Sequence, residues 1–158
     1  MQRRTLIQSA VALLGAAALP TTALGQNPSK PLVEVWKTPT CGCCKDWVKH
    51  LQDQGFAVKT YDVSELAKAA RRAELGLAEK FGSCHTALVG GYVVEGHVPA
   101  QDIRKLIKER PRALGLSVPG MPIGSPGMDG PEYGGRKDAY AVLLVQRDGS
   151  STVYQKYA

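Results

Sequence analysis

Three of the chain's four cysteines lie within four residues, and this cluster is the part of the sequence best suited to chemistry. The clustered cysteines are Cys41, Cys43 and Cys44, and the fourth is Cys84. Cys41 and Cys44 have the Cys-x-x-Cys spacing of thiol–disulfide exchange motifs. Three thiols on one turn are more than such exchange needs, and thiolates select Cu(I), or Zn²⁺ where four ligands close a tetrahedron. The spacing leaves open a redox dithiol and a metal centre.

A purely structural role for the cysteines is a third interpretation. An even number of cysteines in an exported protein is typical of a disulfide framework. Cys43 and Cys44 are adjacent, however, and a bridge between neighbours strains disulfide geometry. Because Cys84 is the only distant partner, a second bridge would have to form across the tight turn at residues 41–44. The sequence therefore disfavours two structural disulfides.

Two methionines and two histidines are further candidate ligands. Met121 and Met128 stand in a near-repeat of Pro-Gly-Met, at 119–121 and 126–128, and thioethers are soft ligands for Cu(I). His85 follows Cys84 directly. In extended backbone the two side chains point to opposite faces, so we expect Cys84 rather than His85 to reach the site unless the loop bends. His97, just before Val98-Pro99, is the other candidate histidine.

The elements that must position these residues alternate between strands and helices. Period-two runs predict strands at 32–36, 56–61, 86–89 and 92–94, the last two joined by a Gly-Gly turn. Helical spacing predicts helices at 44–54, from Ser64 (with apolar Leu66, Ala69, Ala70 and Ala73) and from Pro99 to before Pro111. The order β-α-β-α-β-β-α is that of a thioredoxin-like unit, although the order alone permits other α/β folds. In that topology the loop entering the third strand packs against the turn after the first, which would bring Cys84 over residues 41–44.

The remainder of the chain is a loop followed by a hairpin. Residues 115–135 are rich in Pro, Gly and Met, and a structureless loop of that length is often functional. Two strands at 140–146 and 151–157 flank Asp148-Gly149. We expect the loop to lie over the domain and the C-terminal hairpin to extend or cap the sheet.

Residues 1–25 have the features of a cleaved export signal. Arg3 and Arg4 form a positive start, residues 10–19 are apolar or small, and Ala23-Leu24-Gly25 provides a cleavage site. The apolar run is half of the roughly 20 residues that a membrane span needs. The sequence predicts one mature domain at 26–158 outside the cytoplasm, without stable membrane insertion, exported by the Sec or the twin-arginine route.

The charge pattern argues against a nucleic-acid-binding protein. The chain has 20 Lys and Arg against 14 Asp and Glu, a formal net charge of +6, and its aromatic content is 6%. The basic residues are scattered rather than gathered in a stripe or interleaved with stacking rings.

Four stretches of the mature chain together resemble the CopG-type copper-resistance family. They lie at 36–45, 83–86, 90–99 and 118–128, and the similarity extends over about residues 33–146. The resemblance implies an exported, thioredoxin-like, copper-binding protein that acts in periplasmic copper resistance. It also implies Cu(I), in a cysteine-bridged cluster of several ions. Matched position by position, the cluster cysteines are Cys41, Cys43, Cys44 and Cys84, with His85, His97, Met121 and Met128 as supplementary ligands.

The predicted function is therefore a periplasmic Cu(I)-binding protein, with a copper-transfer protein as its partner. This interpretation favours a binding protein over an enzyme and leaves copper redox chemistry open. The enzyme alternative is a thiol–disulfide oxidoreductase in which Cys41 attacks and Cys44 resolves. A structural zinc site is the other alternative, and it would need a single ion and no methionine.

Overall fold

Seven strands and three α-helices form a mixed α/β structure within residues 30–158, the part of the chain that the computed structural model describes. The predicted signal peptide lies outside the described residues. In chain order the elements are β1 Leu32–Lys37, α1 Gly42–Asp53, β2 Ala57–Asp62, α2 Glu65–Glu74, β3 His85–Val89, β4 Tyr92–Glu95, α3 Ala100–Glu109, β5 Gly115–Ser117, β6 Tyr140–Val145 and β7 Ser151–Tyr157, with short 3₁₀ helices at Glu79–Phe81 and Pro131–Tyr133.

All strands belong to one sheet with the order β2-β1-β3-β4-β5-β6-β7. β1 pairs parallel with β2 and β4 parallel with β5, and the other pairs are antiparallel. The α/β class is confirmed, and the predicted β-α-β-α-β-β-α order is observed from β1 to α3. The register Lys37↔His85 and Thr86↔Glu95 places the end of β1, the start of β3 and the end of β4 at one edge. The segment after β1, the loop before β3 and the loop after β4 therefore meet there. These segments carry the four cysteines and His97.

The main hydrophobic core packs α1 and α3 against one face of the sheet. The two helices contribute fully buried side chains to it, Trp47 and Leu51 from α1 and Ile103 and Leu106 from α3. Because side chains alternate across a strand, Val93 belongs instead to a second cluster on the other face, with Leu77, Phe81, Leu114 and Val145. Burial on both faces makes the central strands a rigid support for the loops at their ends.

The second helix turns a charged face, not its apolar one, toward the protein. Ser64 caps the helix as predicted, accepting a hydrogen bond from the Ala67 amide at 3.2 Å. Leu66 is 81% exposed, whereas Lys68 is buried. The other apolar positions, Ala69, Ala70 and Ala73, are also exposed.

Two local expectations differ from the structure. Helix α1 begins at Gly42 rather than at Cys44, so Cys43 and Cys44 lie on its first turn. The stretch 115–135 contains the short strand β5 and a 3₁₀ helix. Strand β5 joins the C-terminal hairpin to β4, so the hairpin extends the sheet. The many Pro and Gly residues of this stretch predicted a loop and hid β5. The strand forms because Gly115, which has no Cβ, can lie directly against the Val93 carbonyl.

None of the helices within residues 30–158 is long and apolar enough to cross a membrane.

We expect Gly115→Ala to destabilise the protein by about 2 kcal/mol, because the added methyl group collides with the Val93 backbone. Gly42→Ala is the control, since its Cβ meets nothing within 4 Å and alanine favours a helix. Urea unfolding of the two variants measures the difference. Equal stability of both would show that the β4–β5 contact contributes little.

Candidate metal centre

All four cysteines converge at one end of the sheet, where β1 ends and β3 begins. Their four Sγ atoms lie within 4.8 Å of one another. Cys41 is the N-cap residue of α1, Cys43 and Cys44 follow on its first turn, and Cys84 lies just before β3. The predicted approach of Cys84 to residues 41–44 is thus observed in the structure.

Two of the four cysteines are joined by a disulfide, between Cys41 and Cys44. Cys43 and Cys84 are free, and the Cys43 Sγ is 3.6 Å from the Cys41 Sγ. The bonded pair is the one with Cys-x-x-Cys spacing, and the described residues contain no second bridge. The sulfurs of Cys41 and Cys44 are therefore available as thiolate ligands only after the bond is reduced.

Two histidine rings complete the cluster on the side of Cys84. The Cys84 Sγ is 3.3 Å from His85 Nδ1 and 3.0 Å from His97 Nε2. Because the backbone bends at residue 84 before β3 begins, Cys84 and His85 both reach the site. The bend that the sequence analysis allowed for is thus the structure that forms.

The orientation of His97 is set by a main-chain oxygen. Its Nδ1 lies 2.7 Å from the Pro126 carbonyl oxygen, to which a protonated Nδ1 donates. Nε2 is then unprotonated, and its lone pair faces the Cys84 sulfur. A second hydrogen bond of this kind is the usual way in which a protein fixes the tautomer of a metal-binding histidine.

Burial keeps the Cys84 thiol and both imidazoles uncharged. Burial, reinforced by Cys43, raises the pKa of Cys84 to about 12, although Ser83 and Lys68 oppose the rise. Burial also lowers the pKa of His97, and it lowers that of His85 well below the ordinary value, with His97 adding to the effect. Neutral imidazoles offer free lone pairs, whereas the thiol must lose its proton to bind a metal.

The loop between β5 and β6 packs over the domain beside the cysteine cluster, whereas the sequence predicts only that it lies over the domain. Gly127, with φ +84°, lies so close to α1 that a Cβ there would stand 2.6 Å from the Cys43 carbonyl and 2.7 Å from the Trp47 amide. On the other side, the Ser83 hydroxyl donates to the Gly120 carbonyl. The two Pro-Gly-Met stretches therefore contact the two segments that carry the cysteines.

The methionine side chains of this loop differ in exposure. Met121 is 52% exposed. Met128 is buried, and its sulfur accepts a hydrogen bond from the Tyr133 hydroxyl at 3.3 Å. Their service as ligands stays a prediction.

Lys68 of α2 is a buried residue of the site that the sequence analysis missed. Its ammonium donates to the Cys84 carbonyl at 2.9 Å and is paired with Glu65 at 2.8 Å. It thereby places a positive charge beside the sulfur cluster, where it favours thiolates. A lysine within an amphipathic helix ordinarily faces solvent, so the sequence carries no signal for this role.

A buried ion pair fixes the residue before Cys84. The Arg72 guanidinium donates to the Ser83 carbonyl at 2.9 Å and contacts the Glu95 carboxylate at 2.8 Å. That carboxylate accepts from the Ser83 amide and from the Thr86 hydroxyl, each at 2.6 Å. Burial raises the pKa of Glu95, although these hydrogen bonds and Arg72 oppose the rise.

The donor set fits a soft metal ion. Four sulfurs and two neutral imidazoles are ligands that Cu(I) and Zn²⁺ accept. His85 Nε2 is buried and has no hydrogen-bond partner among the described residues. The apolar Trp47 ring packs 4.2 Å from the His85 ring, centre to centre, and limits the access of water.

Comparisons with known proteins identify relatives of this chain. Residues 81–128 match a family described as "Protein of unknown function, DUF411". A solved structure of copper resistance protein CopG, form 2, is 46% identical, with a TM-score of 0.74, and the match covers 82% of this chain and 99% of that one. Form 1 is 45% identical, with a TM-score of 0.73 and coverage of 81% and 98%. No match to this chain is found among curated proteins.

We expect Arg72→Met to destabilise the protein by about 3 kcal/mol or more at neutral pH, because it leaves the buried Glu95 carboxylate without its counter-charge. The loss should shrink as the pH falls. A carboxyl whose pKa is higher in the folded than in the unfolded state binds its proton more tightly when folded, so acid favours folding. Urea unfolding at two pH values measures both effects.

The neighbouring Arg71→Met is the control for this measurement. Arg71 pairs with exposed Glu74 and stacks on Trp36, which contributes about 1 kcal/mol or less. Adding Glu95→Gln to Arg72→Met should recover part of the loss. Equal losses from the two arginine variants would contradict the assigned role of the Arg72–Glu95 pair.

Proposed function

This chain belongs to the family of the copper resistance protein CopG, and on that premise we propose that it binds Cu(I) in copper resistance. The observation that carries the proposal is the convergence of the sulfurs of Cys41, Cys43, Cys44 and Cys84 within 4.8 Å. Thiolates hold the monovalent ion in preference to the divalent one. A covered sulfur site of this kind keeps Cu(I) away from oxidants.

The number of donors supports a cluster of several ions. The four sulfurs, with His85 and His97, exceed the ligands that one Cu(I) takes, so sulfurs shared between ions account for the surplus. His97 serves as a terminal ligand through Nε2, because Pro126 holds the ring in that orientation. Met121 and Met128 are supplementary ligands from the covering loop.

Copper loading on all four sulfurs requires prior reduction. A thiol reductant transfers two electrons and two protons, which breaks the Cys41–Cys44 bond and yields two thiols. Copper then displaces the thiol protons. The oxidation state of this pair therefore sets how many sulfur ligands the site offers.

The site of action that we propose is the periplasm. The predicted signal at residues 1–25 and the family relationship support it. The exposed Met121 stands next to Gly120, whose carbonyl contacts Ser83 beside the cluster. This thioether is suited to exchanging Cu(I) with a periplasmic transfer protein.

A second candidate function is thiol–disulfide exchange, which the Cys41–Cys44 disulfide favours. Cys41 is partly exposed at the N-terminus of α1, where the helix dipole stabilises a thiolate, whereas Cys44 is buried. The Cys41 thiolate would attack a substrate disulfide and release one substrate thiol. The Cys44 thiolate would then displace the second, leaving the Cys41–Cys44 bond.

Anaerobic titration with Cu(I) tests the copper proposal. We expect the reduced protein to bind more than one copper per chain, and the protein with its disulfide intact to bind fewer. Cys84→Ser should weaken retention strongly, because it removes the sulfur that joins both donor groups. Competition with a chromophoric Cu(I) chelator measures affinity, and metal analysis measures stoichiometry.

Met121→Leu is the matched comparison for this titration: it removes one supplementary sulfur and leaves the four cysteines intact, so it should weaken copper retention far less than Cys84→Ser. If the metal-free protein reduces insulin and the Cys84→Ser variant keeps this activity, the result would favour the oxidoreductase. One zinc per chain, with no copper retained by the reduced protein, would refute the copper proposal.

The affinity for Cu(I) should rise with pH. Burial and Cys43 raise the pKa of Cys84 to about 12 in the metal-free protein with its disulfide intact, so the thiol carries its proton at neutral pH and copper must displace it. Each proton displaced raises the apparent affinity about tenfold per pH unit. Chelator competition between about pH 6 and about pH 8, corrected for chelator protonation, measures the slope. An affinity independent of pH would show that Cys84 does not bind copper as a thiolate.

A further inference from the structure

A large cleft lies at the end of the sheet opposite the cysteine cluster. Its volume is about 880 Å³, within the range of small-molecule sites. The cleft is bounded by the Gly90-Gly91 turn between β3 and β4, by the segment after α3 and by the turn between β6 and β7. Strand β3 runs from Cys84 at one end to the Gly90-Gly91 turn at the other, a length of about 13 Å. The cleft is therefore separate from the cysteine cluster.

Three arginines, Arg110, Arg112 and Arg147, line this cleft, and all three are exposed. Within residues 30–158 none of their guanidinium groups forms an ion pair or a side-chain hydrogen bond. The one acidic residue of the lining, Asp148, accepts instead from the amide and hydroxyl of Ser150, at 2.9 and 2.7 Å. The lining therefore carries three positive charges against one carboxylate, a net charge of +2, and a concave surface concentrates the field of the arginines.

Arg110 occupies a position where the fold would be served better by glycine. It ends α3 in the left-handed conformation, with φ 50°, and is the one residue other than glycine with a positive φ among those described. Glycine or asparagine is the usual residue at such a helix end. Lys108 already supplies a cation to the last turn of α3, so the helix dipole does not require Arg110. Stability does not account for an arginine here.

We propose that this cleft binds a small anion that carries two or more phosphate or carboxylate groups. The planar guanidinium pairs with either group through two parallel hydrogen bonds, and three of them match a multiply charged ligand. Ile107 and the ring of Tyr92, whose hydroxyl is bound to the Pro111 carbonyl at 2.9 Å, give the organic part of such a ligand an apolar wall.

Calorimetric titration of the mature chain with inorganic pyrophosphate and with citrate, at low salt, tests the proposal. We expect saturable binding of at least one of the two anions. The double variant Arg112→Ser/Arg147→Ser should weaken it about tenfold or more relative to Lys30→Ser/Arg136→Ser, which removes two exposed charges outside the cleft. Equal weakening in both double variants, or no saturable binding of either anion, would overturn the proposal.

Arg110→Gly provides an independent test. Glycine removes the conformational cost at the end of α3, so the melting temperature should rise while the affinity for the anion falls. An unchanged affinity for the anion that the parent protein binds would refute the role of Arg110. Copper stoichiometry should be the same in all these variants, so failure here and failure of the copper proposal are separate results.

Discussion

The position of Cys84 against the first turn of α1 is the constraint on which the site depends, and buried charge maintains it. Lys68 and the Arg72–Glu95 pair bind the amide and carbonyl of Ser83 and the carbonyl of Cys84. A charged group removed from water needs such partners, and a backbone that departs from a strand needs them equally. Helix α2 and the loop therefore stabilise each other, which explains why α2 buries its cations and exposes Leu66.

Topology predicted from the sequence sufficed to bring the cysteines together. Alternating strands and helices placed residues 41–44 and 84 at one end of the sheet, but the composition of the Pro-Gly-Met loop predicted only that it lies over the domain. The inward direction of Lys68 and Arg72 was inaccessible, because periodicity assigns charged positions to solvent and a single sequence contains no record of burial. The joint approach of Cys84 and His85 depended on a bend of one residue, which no propensity encodes. The same holds for β5, which depends on one close contact at Gly115.

The same sulfurs support two incompatible chemical states. As a disulfide, Cys41 and Cys44 donate nothing to a soft cation, whereas as thiols they extend the set formed by Cys43, Cys84, His85 and His97. Under the proposed function, electron supply and copper supply act on one group of atoms. Little movement is needed between the two states, because the four Sγ atoms already lie within 4.8 Å of one another. The shared sulfurs thus link metal binding and thiol–disulfide exchange, the two functions that the spacing of the cysteines left open.

The orientation of the His97 ring depends on a main-chain carbonyl oxygen, which every amino acid has. Its partner is the carbonyl of Pro126, so the contact involves no side chain at that position. Mutational drift at residue 126 can therefore proceed without disturbing the imidazole, provided that the chain keeps its course past Gly127. Descendants of this protein would be expected to retain the path of the segment more faithfully than the identity of the residue that supplies the acceptor.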